Sequence, residues 1–425
     1  MRNYKKRIVD QALSESLSVM GAVVVEGAKW CGKTTTSEQA ATSRYYIDEE
    51  GRTDGNILLA RTAPERILSG AMPRLVDEWQ LAPSLWDAIR FRVDRSDGTG
   101  AFILTGSSVP PDSDEMRHSG AGRFSWLRMR PMTLWESGDS TGGVSLAGLF
   151  SGEIEDGAPS SGRKLDEIAY LACRGGWPKV SSLHSEAALD VAFAYLDAVV
   201  RRDISRADGV NRDEDRARRL IRSYARLQGT QSSASAICAD LAANEPRGFG
   251  EATVCAYLNA LKRIFTVEDM AAWCPNLRSK ATVRTSDTRY FVDPSIAAAA
   301  LGLGPSDLMD DLATFGLVFE TMAVRDLRVY AQALHGAVFH YRDANGLECD
   351  AVIHLRNGRY GLVELKLGGK ELVDKGASSL KKLAGIIDTG KMRQPSFLAV
   401  VTAVGDFAYR RDDGVCVIPL GALRP

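Results

Sequence analysis

Val23-Val24-Val25-Glu26-Gly27-Ala28-Lys29-Trp30-Cys31-Gly32-Lys33-Thr34-Thr35-Thr36 decides the fold. A β-branched run ends in a glycine, Gly-Lys-Thr comes after four more residues, and a segment that can be helical follows. This is the G-x-x-x-x-G-K-[ST] pattern, set between strand and helix as it must be. Gly27 and Gly32 let the backbone turn tightly, so successive N–H groups point at one anionic group, and the helix opening near Lys33 adds its N-terminal dipole. Gly27, Ala28, Lys29, Trp30, Cys31, Gly32, Lys33, Thr34 and Thr35 form the expected phosphate cradle. Lys33 reaches the β- and γ-phosphates of a nucleoside triphosphate, and the Thr34 hydroxyl ligates its Mg²⁺. The full pattern in this context outweighs the alternative of an ordinary glycine-rich turn.

Outward from the loop, residues 8–17 read as a helix leading into the first strand. Residues 35–42 continue the helix after the loop, and Tyr45-Tyr46-Ile47-Asp48 reads as a second strand. Residues 63–68 start a helix with Pro64 in its first turn. Arg74-Leu75-Val76-Asp77-Glu78-Trp79 runs apolar residues into two acids at a strand end. Such a pair alone is usually a solvated strand end. Downstream of a phosphate loop, Asp77 is assigned to Mg²⁺ and Glu78 to the base that polarises the attacking water.

Trp86, Ile89 and Val93 share one helical face. Ala101-Phe102-Ile103-Leu104-Thr105-Gly106-Ser107-Ser108 is a buried strand ending in small polar residues. The Ser107 hydroxyl is placed to sit beside the γ-phosphate; a turn that merely needs small residues is the alternative. Arg123-Phe124-Ser125-Trp126-Leu127-Arg128-Met129 alternates like an edge strand. Arg123 is the arginine chosen to reach a phosphate, in this subunit or a neighbour, against the plainer reading of a surface charge.

The 425 residues exceed one average core, so two or three domains are expected. Lys+Arg is 53 against Asp+Glu 54, which gives no global pull toward nucleic acid or an anionic membrane. The 7 cysteines are scattered with no C-x-x-C pair, and His numbers 5. A disulfide framework or zinc knuckle is therefore not expected, and reduced thiols in a cytoplasmic protein are. The basic start Met1-Arg2-Asn3-Tyr4-Lys5-Lys6-Arg7 has no long apolar segment after it, and no run approaches the roughly 18 apolar residues of a membrane span.

Four regions are expected: 1–140 around the phosphate loop, a linker and helical lid-like segment over 141–210, a winged-helix-like module over 211–300, and a last domain over 301–425. Residues 137–162, rich in Gly, Ser and Asp, read as a loop or hinge. Arg174-Gly175-Gly176-Trp177-Pro178 reads as a tight turn, and Arg202 with Asp203 as a structural ion pair. Helices over 218–226, 234–242 and 251–265, followed by the basic stretch Leu277-Arg278-Ser279-Lys280-Ala281-Thr282-Val283-Arg284, give the order of a winged helix. DNA contact and a structural or partner role stand evenly there.

In the last region Glu320 lies near the start of an amphipathic helix. Asp350 sits on one strand, and Glu364 and Lys366 share a face of another. The Asn357-Gly358 turn joins those strands as a hairpin, so Asp350 and Glu364 can meet and share Mg²⁺ or Mn²⁺. Lys366 could orient a metal-activated water, and Glu320 could add a carboxylate. The alternative is an exposed Glu364–Lys366 salt bridge on a solvated sheet face.

Gly27 to Thr34, Leu75 to Glu78, Leu104-Thr105-Gly106-Ser107 and Gly122-Arg123 with Pro131-Met132-Thr133-Leu134-Trp135-Glu136 resemble a family of prokaryotic AAA-type ATPases. Its usual loop reads Gly-Pro-Arg-Gln-x-Gly-Lys-Thr, so Ala28, Lys29, Trp30 and Cys31 depart in the loop interior. Asp350 with Glu364-x-Lys366 resembles the core of restriction-endonuclease-like nucleases. The resemblance implies an α/β P-loop NTPase (AAA-type) parallel-sheet domain, then a helical or winged-helix module and an α/β restriction-endonuclease-like domain. It implies ATP and Mg²⁺ at the first site and Mg²⁺ or Mn²⁺ at the second. DNA, a protein partner or further copies of the chain are the partners to test, and no membrane is among them. The competing role is a nucleotide-dependent interaction switch with an inactive nuclease-like fold.

Overall fold

Val23, Val24 and Val25 carry branched side chains that suit a pleated surface, and they form the centre of β1 (Ala22–Glu26). The computed structural model describes residues 4–95, 98–110, 119–153, 156–244, 249–274, 286–390 and 392–425. They fall into two units, the first made of Met1–Pro131, Arg202–Arg212 and Asn259–Thr266, the second of Met132–Arg201, Asp213–Leu258 and Val267–Pro425.

In the first unit β1 joins β2 (Ser43–Tyr46), β3 (Arg74–Asp77), β4 (Phe102–Gly106) and β5 (Phe124–Arg128) in a sheet ordered β2-β3-β4-β1-β5. Every pairing is parallel. Parallel strands need crossovers that cover both faces, so the central strands read as continuous apolar runs. Alternation then splits β1 between two cores. Ala22 and Val24 pack with Trp79, Trp86, Ile89 and Phe124, and Val23 and Val25 pack with Val9, Leu13, Cys31 and Met129. The helices Val9–Val19 and Leu85–Arg95 supply Val9 and Leu13 to one core, Trp86 and Ile89 to the other. β5 is the edge strand its alternation implies, with Phe124 and Leu127 buried in opposite cores.

The strand order reverses at β1, whose neighbours β4 and β5 come much later in the chain. The loop after β1 thus opens at the switch point of the sheet, beyond the carboxyl ends of the strands, where α/β sheets bind ligands.

In the second unit, β7 (Gly336–Arg342), β8 (Glu348–Leu355), β9 (Tyr360–Lys366), β10 (Phe397–Thr402), β11 (Tyr409–Arg410) and β12 (Cys416–Pro419) form a mixed sheet ordered β11-β12-β10-β9-β8-β7. The Asn357-Gly358 hairpin is present: Gly358 has φ +80° and its N–H donates to the Leu355 carbonyl at 3.0 Å. The 22-residue helix Leu312–Ala333 packs along β7, β8 and β9. Helix Lys370–Ile386 packs along β8, β9 and β10, burying Leu380 and Leu383 beside Leu362 and Val400.

Residues 137–162 are not the open loop that composition implied. Val144–Ser145 is a strand, β6, paired in parallel with β13 (Leu423–Arg424) at the other end of the chain, and Leu146, Leu149 and Phe150 of the next helix are buried. The Gly175-Gly176 turn is tight because backbones converge there. A Cβ on Gly176 would lie 2.1 Å from the Met132 carbonyl oxygen, and the Gly176 N–H donates to Asp293 at 2.9 Å.

The expected helices appear as Glu214–Arg226, Ala234–Asn244 and Glu251–Arg263, while the basic stretch 277–284 lies outside the described residues. No helix of the described residues is long and apolar enough to cross a membrane, and all seven cysteines are free thiols.

Candidate functional site

The loop between β1 and the helix Lys33–Ala40 is held from below. Gly27 has φ +156°, and a Cβ there would lie 2.0 Å from the Met129 carbonyl oxygen. Gly32, at φ +104°, caps the helix. Trp30 and Cys31, the unusual interior residues, divide the work. Cys31 is buried with its Sγ 3.6 Å from the Met129 carbonyl, while Trp30 takes a left-handed φ of +65° and stays half-exposed. Arg7 pins the arrangement by donating to the carbonyls of Cys31 and Arg130, both at 2.8 Å. Ala28 is buried and Thr35 exposed.

The lysine of the loop folds back on it. Lys33 Nζ donates to the carbonyls of Gly27 at 2.9 Å and Ala28 at 2.8 Å. Lys29 Nζ reaches Asp203 Oδ1 at 2.6 Å, so Asp203 pairs with the loop where sequence reading paired it with Arg202. Asp203 belongs to a π-helical turn, Val199–Asp203, that no local pattern announces.

Next to the loop, Thr34 Oγ1 donates to Asp77 Oδ1 at 2.8 Å, and Thr105 Oγ1 donates to the same oxygen. Register explains the second contact, because Asp77 stands opposite Thr105 across β3 and β4. Burial pushes the Asp77 carboxyl up, while the two hydroxyls hold it down. A hydroxyl and an incompletely balanced carboxylate side by side fit a hard divalent cation with its waters.

Glu78 is in the left-handed region, φ +54°. Its Oε2 accepts from Ser107 Oγ at 3.0 Å and from Gln80 Nε2. Lys33, Thr34, Asp77, Glu78 and Ser107 are therefore brought together at one end of the sheet.

Arg123 is not. β5 runs parallel to β1 with Ala22 opposite Phe124 and Glu26 opposite Arg128. Arg123 precedes β5 and so lies at the end away from the loop, where it pairs with Asp94 at 2.6 Å. A contribution from Arg123 to this chain's own phosphates is excluded by that register. Arg128 sits at the loop end instead, 2.7 Å from Glu26 and stacked on the Phe265 ring at 4.0 Å. Sequence reading missed Arg128, Thr105, Gln80 and the Lys29–Asp203 pair. Only Thr105 carried a signal, its place at a strand end facing the acid.

The second unit holds the other constellation. Ala351 stands opposite Val363, so one step further Asp350 faces Glu364. Asp350 Oδ2 accepts from the Leu365 N–H at 2.7 Å and from Lys366 Nζ at 3.0 Å, and Lys366 Nζ lies 2.6 Å from Glu364 Oε2. Glu320 lies about two turns into its helix, not at its start, and accepts a hydrogen bond from the Tyr290 hydroxyl. Burial, then the Asp350 charge, pushes the Glu320 and Glu364 carboxyls up. Burial pulls Lys366 down, but the two carboxylates outweigh it and hold it protonated. The pair is thus not the exposed salt bridge of the alternative reading.

Three carboxylates suit Mg²⁺ or Mn²⁺ chemically. As they stand, an ammonium joins Asp350 to Glu364. Among the described residues no three His, Cys, Asp and Glu side chains are grouped closely enough to hold a metal ion. A cation shared by Asp350 and Glu364 would have to displace Lys366.

Residues 20–137 match an AAA domain. With the parallel sheet and its switch-point loop, the matched segment, called the AAA domain for that match, has a P-loop NTPase α/β fold. Residues 165–307 and 315–423 match two domains of unknown function, DUF8612 and DUF4143.

Over 411 residues the chain is 23% identical to the uncharacterized proteins Rv2008c of Mycobacterium tuberculosis and Mb2031c of Mycobacterium bovis, covering 95% of this chain and 84% of each relative. The Walker-type ATPase PABY2304 of Pyrococcus abyssi is 12% identical with a TM-score of 0.39, covering 68% of this chain and 94% of that one. A likeness that remote has no bearing on function.

Proposed function

We propose that the AAA domain binds ATP with Mg²⁺ and hydrolyses it. The observation that carries this is the Thr34–Asp77 hydrogen bond, which joins the phosphate loop to the strand-end acid at 2.8 Å. On binding, Lys33 exchanges the carbonyls of Gly27 and Ala28 for β- and γ-phosphate oxygens, trading neutral acceptors for charged ones. Thr34 and Asp77 would hold Mg²⁺, which when bound neutralises phosphate charge and aligns the β- and γ-oxygens.

Glu78 takes a proton from water. The water oxygen bonds to the γ-phosphorus, the bond from that phosphorus to the bridging oxygen breaks, and ADP and phosphate leave. Ser107 turns from Glu78 toward the γ-phosphate. ATP is preferred to GTP here on the AAA match. Phosphate release with Mg²⁺, measured for the natural chain, Lys33→Ala and Glu78→Gln, tests the proposal. Lys33→Ala should lose binding, and Glu78→Gln should keep binding and lose turnover.

A second reading concerns the other unit. We infer a restriction-endonuclease-like site in which Asp350, Glu364 and Glu320 would close on Mg²⁺ or Mn²⁺ only once Lys366 leaves their bridge, its ammonium then free to stabilise charge on a DNA phosphate, with a winged-helix-like module earlier in the chain. The half-buried bridge from Lys366 to both acids supports it, since an isolated surface pair needs no third partner. Metal-dependent cleavage of single-stranded, duplex and branched DNA, lost in Asp350→Asn and Glu364→Gln, is the test. No cleavage, with ATP-dependent capture of a defined protein partner, would favour the interaction switch.

A further inference from the structure

The turn after β3 carries a buried polar side chain that the hydrolysis described above leaves unused. Gln80 lies in a short 3-10 turn, Trp79–Leu81, and is 8% exposed. Its Nε2 donates to Glu78 Oε2 and lies 3.5 Å from Ser107 Oγ, which donates to that same carboxylate oxygen. The amide's orientation follows from this contact, because the reversed amide would set Oε1 against a carboxylate oxygen.

At the other end of the amide, Oε1 is buried with no hydrogen-bond partner among the described residues. A buried acceptor left alone calls for a reason, since most such groups are paired. The end of β4 packs closely on that side: a Cβ on Gly106 would come within 2.9 Å of Gln80 Oε1. Glu78 itself holds a left-handed φ of +54°, a strain that a non-glycine residue keeps only where its surroundings fix it.

We propose that Gln80 is a positioning residue for ATP hydrolysis. Its N–H fixes the direction of the Glu78 carboxylate, and the packing of its other end against β4 keeps the amide from swinging away. The proposal rests on the ATPase reading above. A general base works only when its lone pair is aimed at the proton it removes, and an unrestrained carboxylate loses that aim. Gln80 takes part in no bond change. The proton passes from water to Glu78 as oxygen bonds to the γ-phosphorus and the bond to the β-phosphate oxygen breaks.

The test compares the full-length natural chain, Gln80→Met, Gln80→Asn, Glu78→Gln and the Gln80→Met/Glu78→Gln double variant, with Mg²⁺ and ATP. Gln80→Met keeps the volume, and Gln80→Asn keeps the amide but shortens its reach. Both should lower kcat about 10- to 100-fold, with the ATP dissociation constant within about twofold of the natural value. In the Glu78→Gln background Gln80→Met should cost nothing more, since a residue acting through Glu78 has nothing left to position.

Natural kcat in Gln80→Met overturns the proposal and leaves the ATPase reading intact. A loss that multiplies with Glu78→Gln, or one that tracks weakened ATP binding, makes Gln80 merely structural and also overturns it. If the natural chain binds ATP but releases no phosphate, the ATPase reading falls and the proposal falls with it. A variant that unfolds early is replaced by the other, whose thermal unfolding is measured first.

Discussion

Thr34 Oγ1 donates to Asp77 Oδ1 at 2.8 Å, across the gap between the helix that starts at Lys33 and the end of β3. Asp77 is raised by burial even with Thr34 and Thr105 donating to it. An acid raised on folding ionises at a cost to stability. That cost is absent below the unfolded carboxylate range, about pH 4, grows as pH rises from there to the folded value, and is complete above it.

Asp77→Asn should therefore raise the Tm of the chain at neutral pH without nucleotide or divalent cation, by roughly 2–4 °C, and the gain should vanish below about pH 4. The same substitution should weaken ATP binding in Mg²⁺ about tenfold or more and leave Mg²⁺-free binding unchanged. Calorimetry with and without Mg²⁺ and ATP reads both. A lower Tm at neutral pH would contradict the unbalanced carboxylate.

Lys29 and Asp203 make an asymmetric pair. The lysine side chain is 42% exposed and the aspartate 9%. Lys29→Ala strands a buried carboxylate beside the phosphate loop, whereas Asp203→Asn leaves an ammonium that can reach solvent or phosphate. Discounted for the lysine's exposure, Lys29→Ala should cost roughly 1–2 kcal/mol in chemical unfolding and weaken ATP binding. Asp203→Asn should cost less and tighten ATP binding. Titration calorimetry on the two variants decides, and weaker binding by Asp203→Asn would show that the pair supports the loop rather than competing with nucleotide.

Gly27 has no room for a side chain. A Cβ there meets the Met129 carbonyl at 2.0 Å, backbone that cannot step aside cheaply. Gly27→Ala should destabilise the AAA domain by about 1–3 kcal/mol and abolish ATP binding, seen in denaturant unfolding and nucleotide titration. Normal binding by Gly27→Ala would mean that the loop is looser than its contact with the Met129 backbone implies.

Lys366 balances Asp350 and Glu364 at 3.0 and 2.6 Å. Lys366→Met leaves both carboxylates without their shared cation, so it should lower the Tm at neutral pH, and Mn²⁺ should restore part of the loss. Glu364→Gln should blunt the response to Mn²⁺. A Tm indifferent to Mn²⁺ in the natural chain and in Lys366→Met would argue against any metal at these carboxylates.

The local parts of both sites were legible in the sequence. Gly27 to Thr34 sits where a strand meets a helix, and Asp350 and Glu364 flank a two-residue turn signal, so spacing alone sets their geometry. What spacing cannot carry is which end of a strand faces which loop. Arg123 and Arg128 both belong to one alternating segment, and only the parallel register with β1 separates them. The β6–β13 pairing joins chain segments about 280 residues apart in sequence (Ser145 Oγ also donates to the Pro425 carbonyl), beyond any local pattern. Gln80 was passed over because a glutamine next to a tryptophan has no motif. Its meaning comes from the backbone turn at Glu78.

Single-turnover release of phosphate from ATP, with Mg²⁺, by the natural chain and by Glu78→Gln is the most direct test of the AAA domain as an ATPase. The expected result is Mg²⁺-dependent release by the natural chain, lost at least 100-fold in Glu78→Gln, roughly the scale of a removed general base, with ATP bound equally by both. Equal rates from the two proteins, or no release by a natural chain that binds ATP, would contradict it.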